Sequence, residues 1–141
     1  MIVLDTNVVS EMMRERPEPR VVAFLDRLER SEVLLTSITL AEIRFGLARL
    51  PAGRRRIRLH DAAERLFDGL TGRGLLVFDD AAASHYASIA AARELAGRPI
   101  PAFDAMIAAM CRVPGATLAT RNVADFDGTG IEVVNPWEAA A

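Results

Sequence analysis

The chain contains no lysine; all of its basic residues are arginine. Any mechanism that depends on a lysine is therefore excluded. A phosphate-cradling loop of the P-loop type lacks its lysine. An acidic phosphate-receiving pocket lacks the lysine such pockets commonly use. Cysteine is nearly absent as well. Cys111 stands alone, so no internal disulfide and no cysteine-paired zinc site can form. No apolar run approaches the roughly 20 residues of a membrane span. No charged start leads into an apolar stretch and a small-residue cleavage site, so no signal peptide is expected and the cytoplasm is the expected location. The only histidines, His60 and His85, fall in helical patterns and are expected to be surface or packing residues. The formal net charge of −2 excludes a surface that attracts nucleic acid by bulk charge.

What is present is one domain's worth of core-forming sequence. The chain has 141 residues, 51% of them hydrophobic, enough to bury a core. Short apolar runs at 2–5, 32–37, 75–79, 116–120 and 131–135 read as strands. Helical spacing is found over 7–13, 19–30, 39–50, 54–70, 80–97 and from about 101 to 112, with Pro17, Pro19, Pro51, Gly53 and Gly97 as breakers. Strands that alternate with helices predict a parallel sheet covered on both faces. No linker, low-complexity stretch or repeat divides the chain. The expectation is a single three-layer α/β/α domain over 1–141 with a five-stranded parallel sheet.

In open parallel sheets the active crevice lies beyond the carboxyl ends of the strands. Asp5 ends the first run. Glu42 lies one turn into the helix after the second. Asp125 lies in "TRNVADFD" after the fourth, and Asp104 begins the helix of "RPIPAFDAMIAAM" that feeds the fourth. Each has a plain structural use. Asp5 and Asp104 can serve helix N-termini. Glu42 completes a Thr39-x-x-Glu42 capping-box pattern, and Asp125 can close an Asx-turn. Asp79 and Asp80 immediately precede a helix and read as N-cap residues. If the first four acids meet, their repulsion is large: two unit charges about 4 Å apart repel by about 4 kcal/mol at an effective dielectric of 20. Such a cluster needs protons or cations. Oxygen-only ligation fits Mg²⁺ or Mn²⁺, and that chemistry suits phosphodiester hydrolysis.

Taken together, "MIVLDTN", "LAEIRFGLARL", "GRPIPAFDAMIAAM" and "LATRNVADFDGTGIEVVNPW" resemble the PIN-domain ribonucleases of the VapC toxin type, in particular the FitB-like branch. The resemblance covers nearly the whole chain in the right order. It implies a PIN domain with a five-stranded parallel sheet, and Mg²⁺-dependent endoribonuclease activity with Mn²⁺ as a substitute. It implies Asp5, Glu42, Asp104 and Asp125 as the catalytic and metal-binding acids, with Asp5 and Asp104 as direct ligands and Asp127 as a substitute for Asp125. Asn7, Thr120 and Asn122 occupy the positions of polar support. The implied partners are an RNA substrate, a small cognate antitoxin, a second copy of the chain, and a larger toxin–antitoxin complex.

The densest basic region, "AGRRRIR", supplies Arg54, Arg55 and Arg56, with Arg44 and Arg49 on the preceding helix; Arg121 lies beside the acids. Arginine forks suit phosphate contacts, although a solvated helix face explains the same pattern. Three other readings compete. A phosphoreceiver is opposed by the missing lysine. A Toprim-like enzyme would need Glu where Asp5 stands. A PIN fold that binds RNA or a partner without cutting it is opposed by the intact acids.

Overall fold

The computed structural model describes residues 1–70 and 74–140. Five parallel strands form one sheet in the order β3-β2-β1-β4-β5. They are β1 (Ile2–Leu4), β2 (Val33–Thr36), β3 (Leu75–Leu76), β4 (Thr117–Ala119) and β5 (Val133–Val134). The central strand β1 pairs Val3 with Leu34 on one side and with Leu118 on the other. Six helices cover the sheet: α1 (Thr6–Met12), α2 (Pro19–Asp26), α3 (Ser37–Ala48), α4 (Arg54–Leu70), α5 (Asp80–Leu95) and α6 (Ala102–Arg112).

Alternation along the strands separates two cores. Side chains of successive strand residues point to opposite faces. Leu4, Val33 and Leu35 therefore join Val8, Val9, Val21, Phe24, Ile43, Leu47 and Phe67 from α1–α4. Val3, Leu34 and Leu118 join Ile89 from α5 and Ala105, Ile107, Ala108, Ala109 and Cys111 from α6. Ala105, Ala108 and Ala109 of α6 are thus buried inside the domain against the sheet and α5.

Strand order turns at β1. From there the chain moves outward to β2 and β3, then returns to the other side for β4 and β5. The rim beyond β1, β2 and β4 is therefore the switch point where open α/β sheets place ligands.

The strands are shorter than their apolar runs. Only Leu75–Leu76 of 75–79 pairs in the sheet; Phe78 instead meets Tyr86 edge-on, with ring centroids 6.0 Å apart. The helix expected over 19–30 stops at Asp26, and a 3₁₀ turn spans Arg30–Glu32. The helix expected from residue 39 begins at Ser37. Asp79 caps α5, accepting the Ala82 N–H at 3.0 Å.

Candidate active site

Asp5 follows β1, and its backbone N–H donates to Ala119 O at 2.9 Å, continuing the pairing with β4. The chain then turns into α1, so Asp5 becomes its N-cap. Its Oδ1 accepts the Thr6 N–H at 2.8 Å. Its Oδ2 accepts the Thr120 hydroxyl at 2.7 Å and the Asn7 amide at 3.3 Å. The residue is only 5% exposed. Burial raises the Asp5 carboxyl above its ordinary value; the bonds from Thr120, Thr6 and Asn7 oppose the rise, and the Asp125 charge adds to it.

A polar network fixes this carboxylate. Thr120 is fully buried. Its Oγ1 also accepts from Asn7 Nδ2 and from the Asn122 backbone N–H, both at 3.1 Å. Asn7 Oδ1 in turn accepts the Arg121 N–H at 3.2 Å. Every side chain in the set has its hydrogen-bonding groups used, which limits rotation of Asp5.

Glu42 is not part of a capping box. Thr36 is the N-cap of α3 and accepts the Thr39 N–H at 3.1 Å. The Thr39-x-x-Glu42 pattern starts one turn too late to cap the helix. Glu42 Oε1 instead accepts the Thr6 hydroxyl at 2.7 Å, and the Thr6 Oγ1 lies 3.2 Å from Thr39 Oγ1. Threonine hydroxyls therefore join the ends of α1 and α3 beside the acid.

Asp104 lies in the first turn of α6, but no side-chain bond caps that helix; its N-cap is Pro101. Its carboxyl is pushed up to about 6. Burial is the main cause, followed by the charges of Asp5, Asp125 and Glu42, while Arg93 acts in the opposite direction. The three other acids named from sequence all act on Asp104. Asp125 sits in a 3₁₀ turn, Val123–Phe126, rather than in an open loop. Asp127 turns away: its carboxylate pairs with Arg98 at 3.7 Å. Of the two, Asp125 is the acid that acts on the cluster.

Asp5, Glu42, Asp104, Asn7, Asn122 and Arg121 line one crevice of about 590 Å³, together with Arg14 and Trp137. Asp125 and Thr120 stand outside its lining. Among the described residues, no group of three or more His, Cys, Asp or Glu side chains is arranged to hold a metal ion by itself. The remaining arginines named from sequence lie away from this lining. Arg44 pairs with Glu64 at 3.8 Å and lies over the Phe67 ring. Arg49 lies over Phe45, and Arg54, Arg55 and Arg56 are exposed at the start of α4. Arg121 lies over Trp137, 5.2 Å from the ring centre. His60 is exposed beside Asp61, and the Cys111 thiol is pushed up to about 12, chiefly by burial.

Sequence reasoning missed Thr6, Arg14 and Arg93. Thr6 is signalled only by its place directly after Asp5. Arg93 has a clearer mark: it shares the buried face of α5 with Ala82 and Ile89, at spacings of seven and four.

A five-stranded parallel sheet with an acid-lined crevice at its switch point is an open α/β domain with its site beyond the strand ends. The PIN domain family model matches residues 2–130, and the chain belongs to that family. It is 40% identical to the VapC ribonuclease Y4jK of Sinorhizobium fredii, covering 99% of this chain and 100% of the relative. It is 41% identical to Toxin FitB of Neisseria gonorrhoeae, covering 97% of this chain and 99% of that protein. The structure of FitAB bound to an IR36 DNA fragment superposes with a TM-score of 0.91 at 40% identity, covering 100% of this chain and 99% of that one.

Proposed function

We propose that the chain is a divalent-cation-dependent endoribonuclease and the toxin member of a toxin–antitoxin pair. The observation that carries the enzymatic reading is the gathering of Asp5, Glu42 and Asp104 in one crevice, with the Asp125 charge also reaching Asp104. The donors are hard oxygens, which suit Mg²⁺ or Mn²⁺. The absence of a preformed cage is compatible with Mg²⁺, which keeps several waters and takes few direct protein ligands. Asp5 and Asp104 are assigned as direct ligands, with Glu42 and Asp125 as outer acids. Bound there, the cation would stabilise charge on the scissile phosphate and lower the pKa of a coordinated water.

The chain's own residues prepare that event. Thr120, Asn7 and the Thr6 N–H hold Asp5 in one orientation. Thr6 does the same for Glu42. The Asp104 carboxyl, pushed up to about 6, would give up any proton it holds on taking a cation. Arg14, whose Nη1 pairs with Glu11 at 3.1 Å, and Arg121 flank the acids in the crevice and offer their remaining guanidinium donors to the RNA backbone. In the proposed reaction water's oxygen bonds to phosphorus, the P–O bond to the leaving ribose oxygen breaks, and that oxygen takes up a proton, leaving one phosphate end and one hydroxyl end.

The partner reading draws on the FitAB complex and on a groove that opens off the crevice. Thr6, Ser10 and Glu42 border both; Met13, Ile43, Gly46, Leu47, Leu50 and Leu59 line the rest, about 250 Å³ between α1, α3 and α4. An apolar segment of a small antitoxin is the proposed occupant, within a larger complex built on a homodimer. Leu95 at 90% exposure and Phe103 at 51% supply apolar surface for self-association.

Purified protein, free of antitoxin, should cut single-stranded RNA with Mg²⁺ or Mn²⁺ and stop with a chelator. Asp104→Asn should lower the rate by at least about 100-fold, the scale of losing a main electrostatic contributor. Cleavage that survives both treatments would sink the mechanism. RNA binding by the parent protein without cleavage in Mg²⁺ would make this a binding module instead.

A further inference from the structure

We propose that Arg93 is a positioning residue for the acid site, gripping the backbone of the turn that carries Asp125. The inference rests on the metal-site reading above.

Arginine is rarely buried without a carboxylate beside it. Arg93 is only 7% exposed, and among the described residues no carboxylate forms an ion pair with it; the nearby Asp127 is paired with Arg98 instead. Its three recorded hydrogen bonds all end on main-chain carbonyls. Nε donates to Arg98 O at 2.7 Å. Nη1 donates to Asp125 O and to Asp127 O, each at 2.9 Å. Two of the three bonds therefore end on Asp125 itself and on the residue two beyond it, and the Asp125 charge reaches Asp5 and Asp104.

Burying a guanidinium without a counter-charge is costly, and neutral donors could hold two carbonyls more cheaply. The uncompensated negative charge in this region is the acid cluster. Holding the turn by its carbonyls leaves the Asp125 carboxylate free, where a direct ion pair would occupy it. The turn also lies on the arginine stem: a Cβ at Gly128, whose φ is +74°, would sit 3.7 Å from Arg93 Cδ. The buried Phe126 and the bond from the Thr129 hydroxyl to Phe126 O, at 2.6 Å, anchor the turn independently. Arg93→Met keeps the stem and removes only the fork, so the variant is expected to fold.

The test is a double-mutant cycle on the full-length chain: Arg93→Met, Asp125→Asn and the pair. Mg²⁺ affinity is read by calorimetry, and stability by melting in chelator. Residues that orient metal ligands typically change affinity about 10–100-fold when lost, and a weakening of that size is expected for Arg93→Met. In the Asp125→Asn background the same change should add little, because the two act through one carboxylate. Arg93→Lys, which keeps a donor and the charge, should recover part of the affinity. Lower stability with unchanged Mg²⁺ affinity would reduce Arg93 to a structural staple and overturn the proposal. Effects that multiply fully in the double variant would overturn it too. A parent protein that shows no Mg²⁺ binding would instead bring down the metal reading, and this inference with it. If Arg93→Met does not fold, Arg93→Gln carries the same cycle.

Discussion

Burial and the charges of Asp5, Asp125 and Glu42 raise the Asp104 carboxyl from 3.8 to about 6. A raised carboxyl binds its proton more tightly in the folded state than in the unfolded one. The associated stability is therefore fully present below about 3.8 and is lost as pH rises through about 6. Asn carries no charge at any pH. In chelator, parent and Asp104→Asn should melt together near pH 4, and the variant should melt higher near pH 7.5. The gap should be about 1–3 kcal/mol after solvent screening. The Asp5 shift has the same sign, but it is common to both proteins and largely cancels in the difference. If Asp104 mainly served its helix terminus, the variant would be less stable near neutral pH by up to about 1 kcal/mol, with or without metal. Melting curves at the two pH values separate the cases. The places of the acids were legible in sequence because Asp5 and Asp125 follow strands while Glu42 and Asp104 lie near helix starts. Their hydrogen-bond partners were less so: Thr6 reaches Glu42 across 36 positions and Arg93 reaches Asp125 across 32, separations that only the fold closes.

At the scale of elements, helices were read more accurately than strands. The helix expected over 54–70 is α4 itself, because its apolar periodicity runs the whole length and Pro51 and Gly53 stop anything earlier. Strand ends depend on where a neighbour stops pairing, and composition is silent on that. Hence 131–135 keeps only Val133–Val134 in the sheet. The false capping box at Thr39 has a similar origin, since Thr36 offers the same hydroxyl one turn earlier. Helix α3 also carries a test of the partner groove. Gly46 lines it, and a Cβ built there meets nothing within 4 Å. Replacing a glycine inside a helix by a better helix former gains up to about 1 kcal/mol. Gly46→Arg should therefore melt no lower than the parent, yet fill the groove and put a charge on its apolar wall. Co-expression with the cognate antitoxin and pull-down on the toxin should recover much less antitoxin with this variant. Unchanged recovery would place the partner elsewhere.

For the molecule as a whole, a net charge of −2 conceals an acid cluster gathered at one rim and arginines that lie, apart from Arg14 and Arg121, away from it. Composition gave the sum and not its distribution, which is why Arg14, which lines the crevice, is passed over for the denser run at 54–56, whereas Arg121 is placed beside the acids by its motif. The distribution has a thermodynamic consequence. A cation that binds only the folded state stabilises it by mass action, about 2.7 kcal/mol at a hundred times Kd. For a domain of this size that corresponds to roughly 5–10 °C in Tm. The proposed cation site draws on the ends of β1, α3 and α6 and on the turn after β4, so the unfolded chain would not reproduce it. Mg²⁺ should therefore raise the parent's Tm near neutral pH, and raise it less for Asp104→Asn. The order of the two proteins should then invert: the variant is the more stable in chelator, and the parent gains on it or passes it as Mg²⁺ is titrated. Nonspecific screening predicts otherwise, because it relieves repulsion in the parent without saturating and acts equally when NaCl replaces MgCl₂ at the same ionic strength. Melts of both proteins across a Mg²⁺ series, with NaCl controls matched in ionic strength, decide the matter. Equal shifts in the two salts would mean that the crevice holds repelling charges without being a site for a cation.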